Sequence, residues 1–170
     1  MLRLSEVSAG EDVTGASPHA LTRRGVCHVP EGRGIFPRLS VRDNIAIQGG
    51  GKDVDDALER AVAAFPVLGN ELGQQAGSLS GGQQQMLSLT RAHLTEARYV
   101  LLDEVSMGLA PVVVDEIFEF LAKLAANGSA LLLVEQYITR ALALADYVYL
   151  ISRGRIDFAG EPGDFAGEPG

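Results

Sequence analysis

"SLSGGQQQMLSLTRA", residues 78–92, opens a helix on two glycines. Ser80 stands where a helix N-cap belongs, and Gln83 follows three residues later, the spacing of a reciprocal capping box. Gly81 and Gly82 then occupy the first turn. A helix start has unpaired N–H donors and a partial positive charge, so it favours an anion, and absent side chains let a phosphate come close. A short way downstream, "YVLLDE" (99–104) reads as an apolar strand of the kind found inside a parallel sheet. It ends in Asp103 and Glu104, at the strand end where open α/β sheets bind ligands. An aspartate there suits Mg2+, and a neighbouring glutamate suits the orientation or deprotonation of an attacking water.

Working outward, the remaining segments alternate between strand and helix. "MLRLSEVS" alternates as a half-buried strand with Leu2, Leu4 and Val7 as its apolar positions. "SPHALTRRG" predicts a short helix with Ser17 as N-cap, Pro18 in the first turn and Gly25 as the stop. "VCHVP" reads as a buried strand ended by Pro30. "SVRDNIAI" predicts a helix capped by Ser40 and Asp43, and "DVDDALERAVAAF" one with Val54, Leu58, Ala61, Val62 and Phe65 at helical spacing. "VVVDEIFEFLAKLAANG" places Val114, Ile117, Phe118, Leu121 and Leu124 on one face, with Gly128 as its stop. "ALLLVE" reads as another buried strand, "YITRALALAD" as a helix, and "YVYLISRGRIDF" as a hairpin turning at Arg153–Gly154. The alternation from residue 98 onward predicts an α/β domain with a mainly parallel sheet, and a helical subdomain is expected over about 40–92. One domain is expected over 1–158, followed at 159–170 by a flexible tail from a duplicated "DFAGEPG".

Composition narrows the function classes. Of 170 residues, 46% are hydrophobic and 21% charged, which suits one globular domain with a sizeable core. The 14 basic and 22 acidic side chains give a formal net charge of -8, which argues against a nucleic-acid partner, since phosphate neutralisation needs clustered Lys and Arg. The lone Cys27 forms no internal disulfide, so a reducing cytoplasm is expected. No apolar run approaches the roughly 20 residues that cross a bilayer, and the first residues do not read as a secretion signal. His19, His28 and His93 read as surface or packing residues.

With these motifs in place, the chain resembles the ATP-binding domains of ABC-type ATPases. "LSGGQQQMLSLTRA", "YVLLDE" and "SMGLAP" look like the signature motif, Walker B and D-loop; "VPEGRGIFPRLSVRDNI" and "LLLVEQ" resemble the Q-loop region and switch strand. The branch is similar to the ATP-binding subunits of bacterial branched-chain amino acid importers, of the LivF type, and the resemblance runs from about residue 11 to 158. It implies a P-loop NTPase-like α/β fold, ATP and Mg2+ as cofactors, and ATP hydrolysis coupled to amino acid transport. It also implies a second ABC ATPase subunit and transmembrane permease subunits as partners, with a peripheral place on the inner face of the plasma membrane. Residue by residue, Asp103 and Glu31 would attend Mg2+, and Glu104 and Gln136 would be catalytic. Ser80, Gly81, Gly82 and Gln83, with Glu31, would contact the nucleotide.

One element of that pattern is absent from the sequence. A phosphate-binding loop needs G-x-x-x-x-G-K-[ST]. The two lysines do not supply it: Lys52 in "GGGKD" has Ala46 at the first glycine position and Asp53 in place of the hydroxyl, and Lys123 lies mid-helix. "VSAG" runs directly into "EDVTG", where the family has a strand–loop–helix unit of roughly 30 or more residues. An internal deletion between Gly10 and Glu11 is therefore expected, natural or an error in reading the gene. This chain's own ATP site is then defective, and ATP belongs to a composite site completed by a partner. The deletion also predicts a marginal fold, with "VLLD" and "ALLLV" lacking an apolar neighbour, and aggregation when the chain is expressed alone. The alternative is a non-catalytic interaction protein or inert relic. An ABC ATPase of translation or DNA repair fits less well, since those need basic surfaces or long insertions.

Overall fold

The computed structural model describes residues 12–30, 34–51 and 53–165. The expected first strand and Glu31 lie outside these residues. In order come α1 (Pro18–Arg23), β1 (Val26–Val29), α2 (Val41–Gln48), α3 (Val54–Ala64), α4 (Gly81–Leu94), β2 (Tyr99–Asp103), α5 (Pro111–Ala126), β3 (Ala130–Val134), α6 (Ile138–Leu144), β4 (Val148–Ser152) and β5 (Arg155–Gly160). Ser17 and Ser40 set their helix starts as the sequence predicts, and Asp53 does the same for α3; each accepts a backbone N–H three residues on, satisfying a donor the helix itself leaves orphaned. The β4–β5 hairpin turns through Arg153 (φ 47°) and Gly154 (φ 76°), the left-handed pair that a two-residue turn matched to strand twist requires.

β1, β2 and β3 form a parallel sheet in that order, pairing Val26 with Tyr99 and Tyr99 with Ala130. β4 and β5 pair only with each other among the described residues. The sheet has two unlike faces. Cys27, Val29, Val100 and Leu102 are buried in one apolar cluster with Met86, Leu87 and Leu89 of α4 and Ile117, Phe120, Leu121 and Leu124 of α5. Burying each large side chain of this kind contributes about 1.5–3 kcal/mol. Phe120 joins the subdomains: Phe65, just past α3, stacks on it at 4.6 Å, and His93 of α4 meets its edge at 6.3 Å.

The opposite face departs from the sequence reading. On it Tyr99 of β2 is 49% exposed, and β3 is not the buried strand its composition predicts: Leu132 is 60% and Val134 54% exposed. β3 is a sheet edge, and nothing among the described residues pairs with its outer side. An apolar run specifies a strand but not whether both faces of its sheet are covered.

The helical subdomain is held by backbone-like bonds to a buried amide. Asn44 of α2 is fully buried; its Oδ1 accepts the Phe36 N–H at 2.8 Å, and its Nδ2 donates to the carbonyls of Phe36 (3.0 Å) and Ser40 (2.9 Å). His93 gives this part of the fold a pH dependence. Burial and then the Arg60 guanidinium hold its pKa below the ordinary 6.5, with Glu96 opposing. The unfolded chain therefore binds more protons between the two values, and stability is fully present above about pH 6.5 and falls as pH drops through the folded value. Urea midpoints measured from pH 8 to pH 5 should fall more steeply for the wild type than for His93→Gln.

Candidate functional site

The start of α4 has the geometry its sequence predicts. Ser80 Oγ accepts the Gln83 N–H at 3.3 Å, and Gln83 Oε1 accepts the Ser80 N–H at 2.9 Å. The N–H groups of Gly81 and Gly82 have no bond within the described residues, so two donors remain for an outside anion. Gly82 has a second duty. A Cβ there would meet Val113 Cγ1 of α5 at 2.7 Å, so this glycine lets α4 and α5 approach closely.

At the other motif, β2 ends in Asp103, exposed, and Glu104, half-buried with φ 46°. A glutamate in the left-handed region is strained, and it persists because its surroundings fix it. Its N–H donates to the Val134 carbonyl at 2.9 Å, and its Oε1 accepts the Gln136 side-chain amide at 2.9 Å. The fold thus brings Glu104 and Gln136 into contact with Asp103 beside them. No hydrogen bond among the described residues joins Ser80–Gln83 to this pair.

The residue that sequence reasoning missed is Glu135. Its carboxylate accepts the Ser106 N–H at 3.0 Å and the Ser106 hydroxyl at 2.5 Å, and Ser106 is fully buried. Glu135 also accepts the Gln136 N–H at 3.3 Å. One side chain therefore ties the end of β3 to the loop after β2, on both sides of the Glu104–Gln136 contact. The available signal was an acid at the C-terminal end of an apolar parallel strand, immediately before Gln136. A cleft of about 300 Å³ opens here, lined by Glu104, Met107, Gly108, Glu135, Gln136 and Tyr137.

The residues present fit part of a nucleotide site. The two unbonded N–H groups at a helix start suit a phosphate. Among the described residues no cluster of three or more His, Cys, Asp or Glu suits a metal, but Mg2+ needs only one or two carboxylates besides the phosphates, and exposed Asp103 offers one.

A sequence family described as ABC transporter matches residues 5–107, more than half of the chain. The chain belongs to the ABC transporter family. This ABC chain is 41% identical over 150 residues to the high-affinity branched-chain amino acid transport ATP-binding protein BraG of Pseudomonas aeruginosa, across 86% of its own length and 64% of the relative's. It is 35% identical over 155 residues to the probable branched-chain amino acid transport ATP-binding protein LivF of Archaeoglobus fulgidus, across 89% and 66% respectively. The ABC chain therefore spans just under two thirds of the length of these relatives. A crystal structure of an ATP-binding cassette of an ABC transporter, in its ADP conformation, superposes with TM-score 0.69 at 24% identity, over 89% of this chain and 66% of that one. A nucleotide-free ATP-binding cassette gives 0.70 at 24%, over 89% and 66%. These likenesses establish the fold as that of an ABC cassette with its helical part. No helix among the described residues is long and apolar enough to cross a membrane.

Proposed function

We propose that the chain is an ATP-binding subunit of an ABC importer for branched-chain amino acids, in which it supplies the signature side of a nucleotide site while its own phosphate side is defective. The 41% identity to BraG across 86% of the chain carries this reading. The 170 residues contain no G-x-x-x-x-G-K-[ST], which supports the defect and the internal deletion behind it. Bound ATP with Mg2+ would supply the transferable phosphoryl group and the charge-neutralising cation. In this reading Ser80, Gly81, Gly82 and Gln83 present donors to the phosphates held by a second ABC subunit, Asp103 holds Mg2+, and Glu104 takes a proton from water. The Gln136 amide fixes the Glu104 carboxylate through one oxygen, which leaves the other free. Glutamine does not titrate, so the donor side of this contact carries no proton equilibrium of its own. Glu31 contacts nucleotide and Mg2+, and transmembrane permease subunits hold the assembly at the inner face of the membrane.

Two measurements test it. The isolated chain with a fluorescent Mg-ATP analogue should give no saturable binding up to about 1 mM, because each lost charge-assisted phosphate contact costs roughly 1.5–3 kcal/mol. Mixed with an intact cassette subunit of the same importer, it should raise that subunit's ATPase rate, and Ser80→Arg should remove at least about tenfold of the affinity behind the gain. Micromolar binding by the chain alone would overturn the defect. An unchanged partner rate in the mixture would overturn the signature role and favour the second reading, a non-catalytic relic, which the bare face of β3 independently supports.

A further inference from the structure

We propose that the second copy of the duplicated heptapeptide is a strap, whose Phe165 returns onto Phe158 of the first copy and holds the β4–β5 hairpin closed. The inference does not rest on the nucleotide reading. It starts from the weakness of the hairpin. β4 and β5 pair only with each other among the described residues, and Tyr149, Leu150 and Ile151 of β4 are all exposed. A two-stranded hairpin by itself is marginally stable in water, because it has no third strand or helix to cover a face. What this hairpin shields lies on one side. Ile156, Phe158 and Gly160 alternate along β5 as its half-buried positions, and Phe158 and Gly160 stand opposite Leu150 and Val148.

Residues 157–163 and 164–170 are both "DFAGEPG", yet the two copies begin differently. The residues before each copy decide this. Arg155 and Ile156 lead into the first, and both carry the N–H that a strand ladder uses. Pro162 and Gly163 lead into the second. Proline has no N–H to give and fixes φ at about −65°, so it cannot extend β5 and instead opens a short 3-10 turn, Pro162–Asp164. The Asp164 N–H donates to the Glu161 carbonyl at 3.0 Å, and the Phe165 N–H donates to the Pro162 carbonyl at 3.2 Å. These bonds bend the chain back, and the half-buried Phe165 ring meets Phe158 edge-on, with centroids 5.3 Å apart at 66°. The positive rim of one ring then faces the negative face of the other, the arrangement aromatic pairs favour.

The first copy is shaped to receive that ring. Phe158 leans along its own strand over Gly160, where an added Cβ would stand 2.9 Å from the ring's Cζ. A glycine weakens a strand interior, and a ring folded over it offsets part of that loss. Any larger residue at position 160 would push Phe158 out of this place and away from Phe165. The duplication therefore does more than lengthen the chain. It supplies a second phenylalanine, and the proline turn between the copies delivers it to the first.

Hydrogen exchange of the full chain against a chain ending at Gly163, which keeps one intact heptapeptide, tests the strap. The shortened chain should lose at least about tenfold of the protection of its β4 and β5 amides, while β1, β2 and β3 keep theirs. Phe165→Ala in the full chain should match the shortened one, and Phe165→Tyr, which retains the ring, should match the wild type. In a Phe158→Ala background, Phe165→Ala should change nothing further, since the partner ring is already gone. Asp164→Ala, at an exposed position whose backbone N–H still closes the turn, should exchange as the wild type does. Unaltered exchange in the shortened chain would overturn the proposal, because the second copy would then be a free tail. So would a loss of protection in the shortened chain that Phe165→Ala does not reproduce, since the ring would not be what holds the hairpin. An equal loss across β1, β2 and β3 would also overturn it, because the effect would not belong to the hairpin.

Discussion

Replacing Glu135 by alanine lowers the unfolding free energy by about 3 kcal/mol and releases the loop that follows Glu104. Ser106 is fully buried, and both its donors end on the Glu135 carboxylate. Hydrogen bonds to a charged group contribute about 1.5–3 kcal/mol each, and a buried donor left unmade costs its desolvation. Two such bonds would suggest a larger loss, but Glu135 is only half-buried, so water reaches part of the vacated space and restores some of it. Glu135→Gln retains an acceptor oxygen while losing the charge, and should cost roughly half as much. Urea unfolding gives the magnitudes, and hydrogen exchange at the Ser106 amide gives the location. An Ser106 amide that exchanges as slowly in Glu135→Ala as in the wild type would show that the clamp does not hold this loop.

That clamp also marks where sequence reading stops. The elements with local causes were legible: Ser17, Ser40 and Ser80 cap the helices they precede, and the α5 positions Val114, Ile117, Phe118, Leu121 and Leu124 are buried as their spacing predicts. Asp103 and Glu104 lie at the end of β2 because a strand end is a local property. The contact between Glu104 and Gln136 is not local. It depends on β3 lying beside β2 in a register that sets Asp103 opposite Val134, and 32 residues separate the partners. Periodicity is equally blind to exposure on β3. Leu132 and Leu102 both sit in apolar strand runs, yet one is 60% and the other 2% exposed, because Leu102 lies on the sheet face packed by α4 and α5 and Leu132 on the opposite face. Gly82 adds a third case: a glycine read as access for phosphate is also the point where Val113 needs the space.

Asn44→Leu should be the most destabilising change in the helical subdomain, at about 3–4 kcal/mol, although leucine fills a similar volume in an apolar setting. The reason lies in the groups left behind. Asn44 satisfies the N–H and the carbonyl of Phe36 and the carbonyl of Ser40, closing the 34–40 segment onto α2. With leucine those backbone groups keep their places but lose their partner, each at about 1–3 kcal/mol where water is excluded. The Ser40 carbonyl also accepts the Asn44 N–H at 3.0 Å, so its loss is partial, and the total is nearer two unmet groups than three. Asn44→Asp separates the contributions. A carboxylate still accepts the Phe36 N–H but opposes both carbonyls, so it should cost at least as much at pH 7 and recover partly as acidification protonates it. Thermal melts at pH 7 and pH 4, read as differences from the wild type to cancel the His93 contribution, carry the test. If Asn44→Leu melts within a degree of the wild type, the segment closes without the amide. If Asn44→Asp shows no recovery at low pH, the bonds to Phe36 and Ser40 are not what Asn44 supplies.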